Sequence, residues 1–190
     1  MDQLLSRTTI SAALAAVLAV SAGATITTWQ IDPQHTAAGF AVKHLMISTV
    51  RGQFKGVTGT VNWDDQDISK STVDITIDAN TVDTSEPKRD ADLKSDKFFE
   101  VAKYPTITFK SKKIEQVSAG KLKITGDLTI HGVTKPAQIT AQVKVNGSQV
   151  QANGSTAFNM TDFGISPPQV PITTVDPAVT LDFQLILTKA

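Results

Sequence analysis

The chain contains no cysteine in its 190 residues and has no net charge, because 18 Lys and Arg balance 18 Asp and Glu. The absence of cysteine excludes disulfides, thiolate nucleophiles, cysteine-ligated zinc and iron–sulfur clusters. The charge balance argues against a nucleic-acid partner, which a basic excess would favour, and against a polybasic membrane-surface protein. What remains is one globular domain of ordinary size, stabilised by its apolar core.

The first 24 residues differ from the rest and match a secretory signal peptide. A short N-terminal region with one basic residue, Arg7, precedes an apolar run rich in Ala, Leu and Val. The small residues of SAGA (21–24) then form a cleavage site, with the cut expected after Ala24. The apolar run is shorter than the ~20 residues that span hydrocarbon. We therefore expect residues 1–24 to be a signal peptide and residues 25–190 to be an exported domain, with no stable membrane insertion after cleavage.

Apolar and polar residues alternate over most of the exported part. The alternation is clearest in residues 72–78, 121–130, 138–145 and 179–187. A period of two indicates antiparallel strands with one buried face. The sequence therefore predicts about eight strands.

Short turn sequences separate the strand patterns at hairpin distance, and Asn146-Gly147 is the strongest of these signals. The other turn sequences are DDQD (64–67), AG (119–120) and HG (131–132). We interpret ANG (152–154) as a bulge or a further turn. Residues 165–177 contain four prolines and are interpreted as a long irregular connection.

One charged segment, residues 86–99, lacks alternation and predicts a short helix, with Ser85 as its N-cap and Pro87 in its first turn. The predicted fold class is all-β, an eight-stranded antiparallel barrel with a short helical segment near one end. A β-sandwich has the same periodicity and stays an alternative. The barrel is favoured because the helical segment could cover an open end, and such a barrel is just wide enough for one small or elongated ligand.

The three histidines, His35, His44 and His131, form no recognisable metal or catalytic motif. His35 and His44 are nine positions apart, so they would face opposite sides of one strand. We expect structural or surface roles for these residues. His44 is the best candidate for a site, because it shares strand parity with Phe40 and Val42 at the end of an apolar face.

The acidic cluster at residues 64–67 lacks the glycine and the closing glutamate of a calcium-binding loop, so a solvated hairpin is expected there. Nucleophilic catalysis has no local signature either, since G-x-S-x-G is absent.

Only two arginines, Arg51 and Arg89, follow residue 24. Arg89 lies in the predicted helix, and its planar guanidinium suits a carboxylate or phosphate. The alternative is a local ion pair with Asp90, Asp92 or Asp96.

Aromatic residues concentrate between Phe40 and Phe109. They are consistent with an ordinary core and also with the lining of an apolar ligand site.

A series of motifs resembles the YceI-like family, in order and over nearly the whole chain after residue 24. The motifs are IDPQHT (31–36), FAVKHL (40–45), GQF (52–54), VDT (82–84), RD (89–90), LKS (93–95), FF (98–99), YP (104–105), TF (108–109), GDLTIHGVTKP (126–136) and DFGI (162–165). The long block at 126–136 is the most specific of them.

The resemblance implies a lipocalin-like eight-stranded barrel in the periplasm that binds a polyisoprenoid or another long amphiphilic lipid. It implies no cofactor, no metal and no established enzymatic activity, and it is compatible with a homodimer. Family members often carry histidine where Asp92 stands and a basic residue where Met160 stands. These departures argue against an anionic pyrophosphate head and favour a fatty acid, an amide or a quinone-like lipid.

We therefore expect a non-enzymatic periplasmic protein that binds a long-chain isoprenoid or acyl lipid for transport or storage, with His44 and Arg89 near the lipid head. The residues predicted to line the site are Phe40, Val42, His44, Phe54, Arg89, Phe98, Phe99, Tyr104, Ile107 and Phe109. One alternative is an enzyme acting on a similar lipid, with His44 as general base and Asp90 or Tyr104 assisting. Another is a ligand-free β-sandwich interaction module.

Overall fold

A computed structural model describes residues 25–44, 48–166, 169–170 and 173–190, so the predicted signal peptide lies outside the described residues. The described residues form twelve strands and one α-helix. Their bounds are β1 Ile26–Ile31, β2 Ala37–His44, β3 Ser48–Phe54, β4 Val57–Asp64, β5 Thr72–Asp78, β6 Val82–Asp83, α1 Pro87–Lys94, β7 Thr106–Ser118, β8 Lys121–Ile130, β9 Val133–Asn146, β10 Gln149–Asn159, β11 Gln169–Val170 and β12 Thr173–Lys189.

Eight of these strands form a closed antiparallel ring in the order β1-β4-β5-β7-β8-β9-β10-β12. The ring closes because the last residues of β12 pair with β1, Leu187 opposite Ile31. The earlier part of β12 pairs with β2, β2 pairs with β3, and β3 pairs with β6, so these shorter strands continue the wall at one end. The predicted eight-stranded barrel is confirmed, and the β-sandwich is wrong.

The two ends of the barrel differ. At the helix end, which we define by α1 and His44, the β8–β9 turn lies at His131-Gly132. At the opposite, distal end are the β7–β8 turn and the β9–β10 turn. No helix among the described residues is long and apolar enough to cross a membrane.

The alternating pattern predicts the buried face well. Val73, Ile75 and Ile77 of β5 are all buried, as are the inward residues of β8. The pattern fails at the distal tip of β9, where Val145 is 66% exposed. There the strand ends at the β9–β10 turn, where the barrel interior gives way to solvent.

The predicted turns at AG (119–120), HG (131–132) and NGS (146–148) are confirmed as connections between antiparallel neighbours. Both His131 and Gly132 have positive φ, 51° and 73°, which matches the twist that a two-residue hairpin turn requires. The turn or bulge expected at 152–154 is wrong, because these residues lie in regular register within β10.

The proline-rich connection is only partly irregular. β11 pairs with the start of β12, and β12 continues through Pro177 with a register shift between Val175 and Val179. Residues 167–168 and 171–172 lie outside the described residues.

The predicted short helix is confirmed as α1, but it covers only residues 87–94 of the predicted segment 86–99, and its N-cap is Glu86 and not Ser85. The Glu86 carboxylate accepts a hydrogen bond from the Lys88 backbone N–H at 3.3 Å, and Pro87 occupies the first helical position. Ser85 has φ of 60°, a left-handed conformation that N-cap residues do not adopt. The helix therefore starts one residue later than expected.

The acidic turn between β4 and β5 is built around a buried carboxylate. Asp64 is 2% exposed, and its Oδ1 accepts hydrogen bonds from the backbone N–H groups of Gln66 and Asp67 at 2.9 and 2.8 Å. The Asp64 N–H donates to the Ser71 hydroxyl at 2.9 Å. The expected solvated hairpin is therefore wrong for Asp64, which holds the turn together.

Replacing Asp64 with alanine should lower the free energy of unfolding by about 1–3 kcal/mol, because the buried carboxylate is lost and the backbone N–H groups of Gln66 and Asp67 lose their acceptor. Urea unfolding measures this loss. Asp65→Ala is the matched control, since Asp65 is exposed and its side chain makes no hydrogen bond within the described part of the chain. We expect the control to change stability by less than about 0.5 kcal/mol. Equal losses in both variants would contradict the role given to Asp64.

Candidate functional site

The barrel encloses a cavity of about 700 Å³ at its helix end, which we call the large cavity. This volume falls within the range of roughly 300–1,000 Å³ that is usual for ligand pockets. Its walls come from the inward faces of the strands and from α1. The lining residues are Phe40, Val42, His44, Val50, Phe54, Ile77, Glu86, Lys88, Arg89, Asp92, Leu93, Phe98, Phe99, Ile107, Ile130, Phe158, Met160, Ile165, Val175, Val179 and Leu181.

Eight of the ten residues predicted for the site line the large cavity: Phe40, Val42, His44, Phe54, Arg89, Phe98, Phe99 and Ile107. The structure brings them together from β2, β3, β7, α1 and the segment after α1. Their part in ligand binding stays a prediction.

Tyr104 and Phe109 do not line the large cavity. The Tyr104 ring packs edge-on against His131, with ring centroids 4.7 Å apart, and a Cβ at Gly132 would overlap with it. Phe109 is 4% exposed and lies deeper in the barrel, toward the distal end. Tyr104 therefore stabilises the β8–β9 turn, and Phe109 belongs to the middle of the interior.

Sequence reasoning missed the wall contributed by β10 and β12. Phe158, Val179 and Leu181 all line the large cavity. The period-two pattern of residues 179–187 predicts the inward face of β12, but it does not indicate which of these residues line a cavity and which pack in the core. The missing information is the pairing of β12 with β2, which places Leu181 opposite Phe40.

The aromatic wall of the cavity depends on a glycine. A Cβ at Gly52 would overlap with the tip of the Phe40 ring, so the missing side chain lets this ring lie against the wall on β3. Phe40 then packs against Phe54 at 5.5 Å between centroids, and Phe54 meets Phe99 edge-on at 5.7 Å. Edge-on and tilted pairs at these separations are favourable for aromatic rings. The result is an aromatic surface with open space in front of it.

Arg89 is held by the chain that precedes the helix. Its Nε donates to the Thr84 hydroxyl at 2.8 Å and its Nη2 donates to the Thr84 carbonyl at 3.0 Å. The Thr84 N–H and hydroxyl in turn donate to the Asp90 carboxylate. Among the ion pairs of the described residues none involves Arg89, so the alternative of a local ion pair with Asp90, Asp92 or Asp96 is wrong.

This arrangement fixes Arg89 at the rim of the large cavity. Two of its nitrogens bond Thr84, and Nη1 has no hydrogen-bond partner in the described structure. Lys55 anchors the same region from the end of β3, because its ammonium contacts the Asp83 carboxylate at 2.7 Å. That hydrogen bond, with one from the Ser85 N–H, lowers the pKa of Asp83 below its usual value.

The charges at the cavity mouth balance. Glu86 and Asp92 oppose Lys88 and Arg89, and His44 is the remaining titratable group on the lining. A mouth with equal numbers of acidic and basic groups has no strong preference for an anion. The apolar majority of the lining faces inward from these groups, so the cavity has one polar end and one apolar end.

The other two histidines lie away from the large cavity. His35 contacts the Asp32 carboxylate at 2.7 Å on the surface, and this hydrogen bond lowers the pKa of Asp32. His131 lies 3.4 Å from the Glu100 carboxylate and 3.3 Å from the Phe163 carbonyl oxygen. Within the described ranges, no group of three or more histidine, aspartate or glutamate residues is arranged to hold a metal.

Comparison with known proteins gives one consistent result. The model of the YceI-like domain family matches residues 29–187. A UPF0312 protein of Vibrio parahaemolyticus is 34% identical over 160 residues, which cover 80% of this chain and 85% of that protein.

Two solved structures share the fold. The crystal structure of Burkholderia cenocepacia BcnA superposes with a TM-score of 0.76 at 23% identity, covering 82% of this chain and 98% of that one. A polyisoprenoid binding domain from Saccharophagus degradans superposes with a TM-score of 0.67 at 15% identity, covering 86% and 99%.

Because the Phe40 ring lies over Gly52, adding one methyl group at Gly52 has a predictable effect on the cavity. Gly52→Ala should push the Phe40 ring into the large cavity, because the added Cβ would overlap with this ring and with the Thr84 methyl group, and should weaken binding of the apolar dye N-phenyl-1-naphthylamine by roughly fivefold or more. Dye fluorescence titration measures the change.

Gly39→Ala is the matched control on the adjacent strand. The three atoms nearest to a Cβ there all belong to the exposed Asp182 carboxylate on the outer face, so dye binding should stay within about twofold of the wild type. If both variants bind the dye as the wild type does, the Phe40 ring does not limit the cavity.

Proposed function

The chain belongs to the YceI-like family, and on that premise we propose that its barrel binds a long-chain polyisoprenoid or a comparable amphiphilic lipid with the tail in the large cavity. The observation that carries the proposal is a mostly apolar cavity of about 700 Å³ inside a closed barrel, with its charged residues at one end. Transfer of a tail from water into this space is favourable by about 0.8 kcal/mol per buried CH2 group.

One solved structure with the same fold supports this choice of ligand class. The Saccharophagus degradans domain, which has the same fold, is described as a polyisoprenoid binding domain. In this chain the described walls of the cavity below its mouth are aromatic and aliphatic side chains. Such walls suit an apolar tail and offer few polar partners for a sugar or a peptide.

The balanced charges at the mouth favour an uncharged lipid head. Arg89 uses Nε and Nη2 on Thr84, and Lys88 and Arg89 are offset by Glu86 and Asp92. A pyrophosphate would need an excess of positive groups to compensate for its lost hydration. A hydroxyl, amide or quinone head needs only one or two hydrogen bonds, which the His44 ring and Nη1 of Arg89 can supply.

A binding role fits the site better than an enzymatic one. The groups that could assist a His44 base are Asp90 and Tyr104. Asp90 accepts two hydrogen bonds from Thr84, and Tyr104 packs on His131 outside the cavity lining. Neither group lines the large cavity with His44, so the two partners expected for a general base at His44 do not share the cavity with it.

Export to the periplasm is part of the proposal, because residues 1–24 have the pattern of a signal peptide. In that compartment the protein would carry or store a lipid that water does not dissolve. N-terminal sequencing of the protein from a periplasmic extract should begin at Thr25, and a protein that keeps Met1 in the cytoplasm would contradict export.

A homodimer stays a prediction from the family resemblance, and measuring the molecular mass of the protein in solution tests it.

The lipid itself can be identified by expressing the full chain in a Gram-negative host. Organic extraction of the purified protein, followed by mass spectrometry, should return a lipid with a long apolar tail and an uncharged head. A phosphorylated lipid would contradict the head-group proposal alone. The absence of any lipid, together with no binding of added polyprenols, would contradict the proposed function.

A variant pair tests whether the tail lies in the large cavity. Val42→Asp places a carboxylate on the cavity wall, and the extracted lipid should fall at least about tenfold, since an apolar tail cannot compensate for a desolvated charge. Ala41→Asp is the matched control one residue along β2. Its side chain faces outward, next to Arg51 on β3, and lipid retention should be unchanged. A folded Val42→Asp protein with normal lipid content would place the ligand elsewhere.

A further inference from the structure

The interior of the barrel is divided along its length. Beyond the large cavity lies a second space of about 160 Å³ at the distal end, which we call the distal cavity. Trp29, Trp63 and Val150 are among its lining residues. Between the two is a space of only about 30 Å³, which we call the constriction. Such a volume holds about two water molecules at most, so no hydrocarbon chain passes it without displacing side chains.

Two phenylalanines stand at this boundary. Phe109 and Phe183 both line the constriction and the distal cavity, and neither lines the large cavity. On the other side, Ile77, Ile107 and Leu181 line both the constriction and the large cavity. Ile75, Ile139 and Leu185 also line both the constriction and the distal cavity. The two rings are the largest of these five side chains, so they are the largest groups that a tail meets between the two spaces.

The ring order of the strands places these residues on opposite walls. Phe109 lies on β7 and Phe183 lies on β12, and four steps separate these strands in either direction around the eight-stranded ring. Phe109 faces the interior between Ile75 of β5 and Leu128 of β8. Phe183 also faces the interior, between Ala38 of β2 and Gly154 of β10. The rings thus approach the barrel axis from opposite sides.

Each ring rests on a glycine of the neighbouring strand. A Cβ at Gly126 would lie 2.7 Å from Cζ of Phe109, and a Cβ at Gly154 would overlap with the tip of the Phe183 ring. Phe109 is 4% exposed, whereas Phe183 is only half-buried. Phe183 is therefore the ring whose removal opens the passage with the smaller loss of packing.

We propose that Phe109 and Phe183 form a length filter: a lipid tail that fits the large cavity binds with both rings in place, and a longer tail gains nothing unless the rings are removed. This inference rests on the proposed function and adds a limit on the length of the ligand tail. The distal cavity is apolar along most of its lining and would take the extra length once Phe183 is gone.

The test measures affinity as a function of tail length. Geraniol, farnesol, geranylgeraniol and solanesol form a series of polyprenols with one head group and increasing tails, and each displaces N-phenyl-1-naphthylamine from the purified, delipidated protein. For the wild type, affinity should rise along the series and level off before solanesol. For Phe183→Ala the rise should continue, and solanesol should bind at least about tenfold more tightly than the alcohol at which the wild type levels off.

Phe158→Ala is the matched control. Phe158 is also half-buried on a strand, but of the three spaces it lines only the large cavity, so its removal widens the site without opening the constriction. Affinity in this variant should level off at the same alcohol as in the wild type. A shift as large as that of Phe183→Ala would mean that any added volume extends the series, and the filter would be wrong.

The remaining outcomes separate the filter from the function. If the wild type binds no polyprenol, the proposed function fails. If the wild type binds the whole series and Phe183→Ala gives the same length profile, only the filter fails. Should Phe183→Ala not fold, Phe183→Leu keeps most of the apolar volume while removing the ring. This variant should move the levelling-off to a longer alcohol, and an unchanged profile would overturn the filter.

Discussion

An eight-stranded barrel encloses little more space than its own inward side chains fill, so a cavity forms only where inward positions give up volume. In this chain glycines at inward positions meet that constraint. Gly52, Gly126 and Gly154 each leave room for the tip of a phenylalanine ring from a neighbouring strand. The Phe40 ring then lies against the wall of the large cavity, where a volume of about 700 Å³ stays open, and the rings of Phe109 and Phe183 lie beyond it at the constriction.

The helix α1 makes one end of this cavity polar, because the charged residues of the lining lie on α1 or at its N-cap. Without α1 and the segment after it, the helix end would be an apolar opening. With them, Arg89 is held at the rim by Thr84, and Glu86, Lys88 and Asp92 complete a mouth with balanced charges. The opposite end of the large cavity is closed by the constriction between β7 and β12. A ligand that matches this space has a small polar head and a tail of limited length.

Much of the fold could be predicted from the sequence, because strand alternation and turn residues are local signals. The inward faces of β5 and β8 and the hairpin turns follow directly from them. The assignment of residues to the cavity is not local. Ile107 lines the large cavity, whereas Phe109, two residues along the same face of β7, lies beyond it. Gly154 has the sequence signal of a turn. Only the pairing of β10 with β12 shows that Gly154 lies opposite Phe183 and leaves room for its ring.

The proposed function depends on one claim, that the tail of a bound lipid lies inside the barrel at the helix end. Nuclear Overhauser effects between a bound polyprenol and methyl-labelled protein measure this contact directly. We expect cross-peaks from the tail to the methyl groups of Val42, Val50 and Leu181, which line the large cavity, and none to Val117, which is exposed at the distal end. Cross-peaks confined to exposed methyl groups would show that the lipid binds outside the barrel and would contradict the claim.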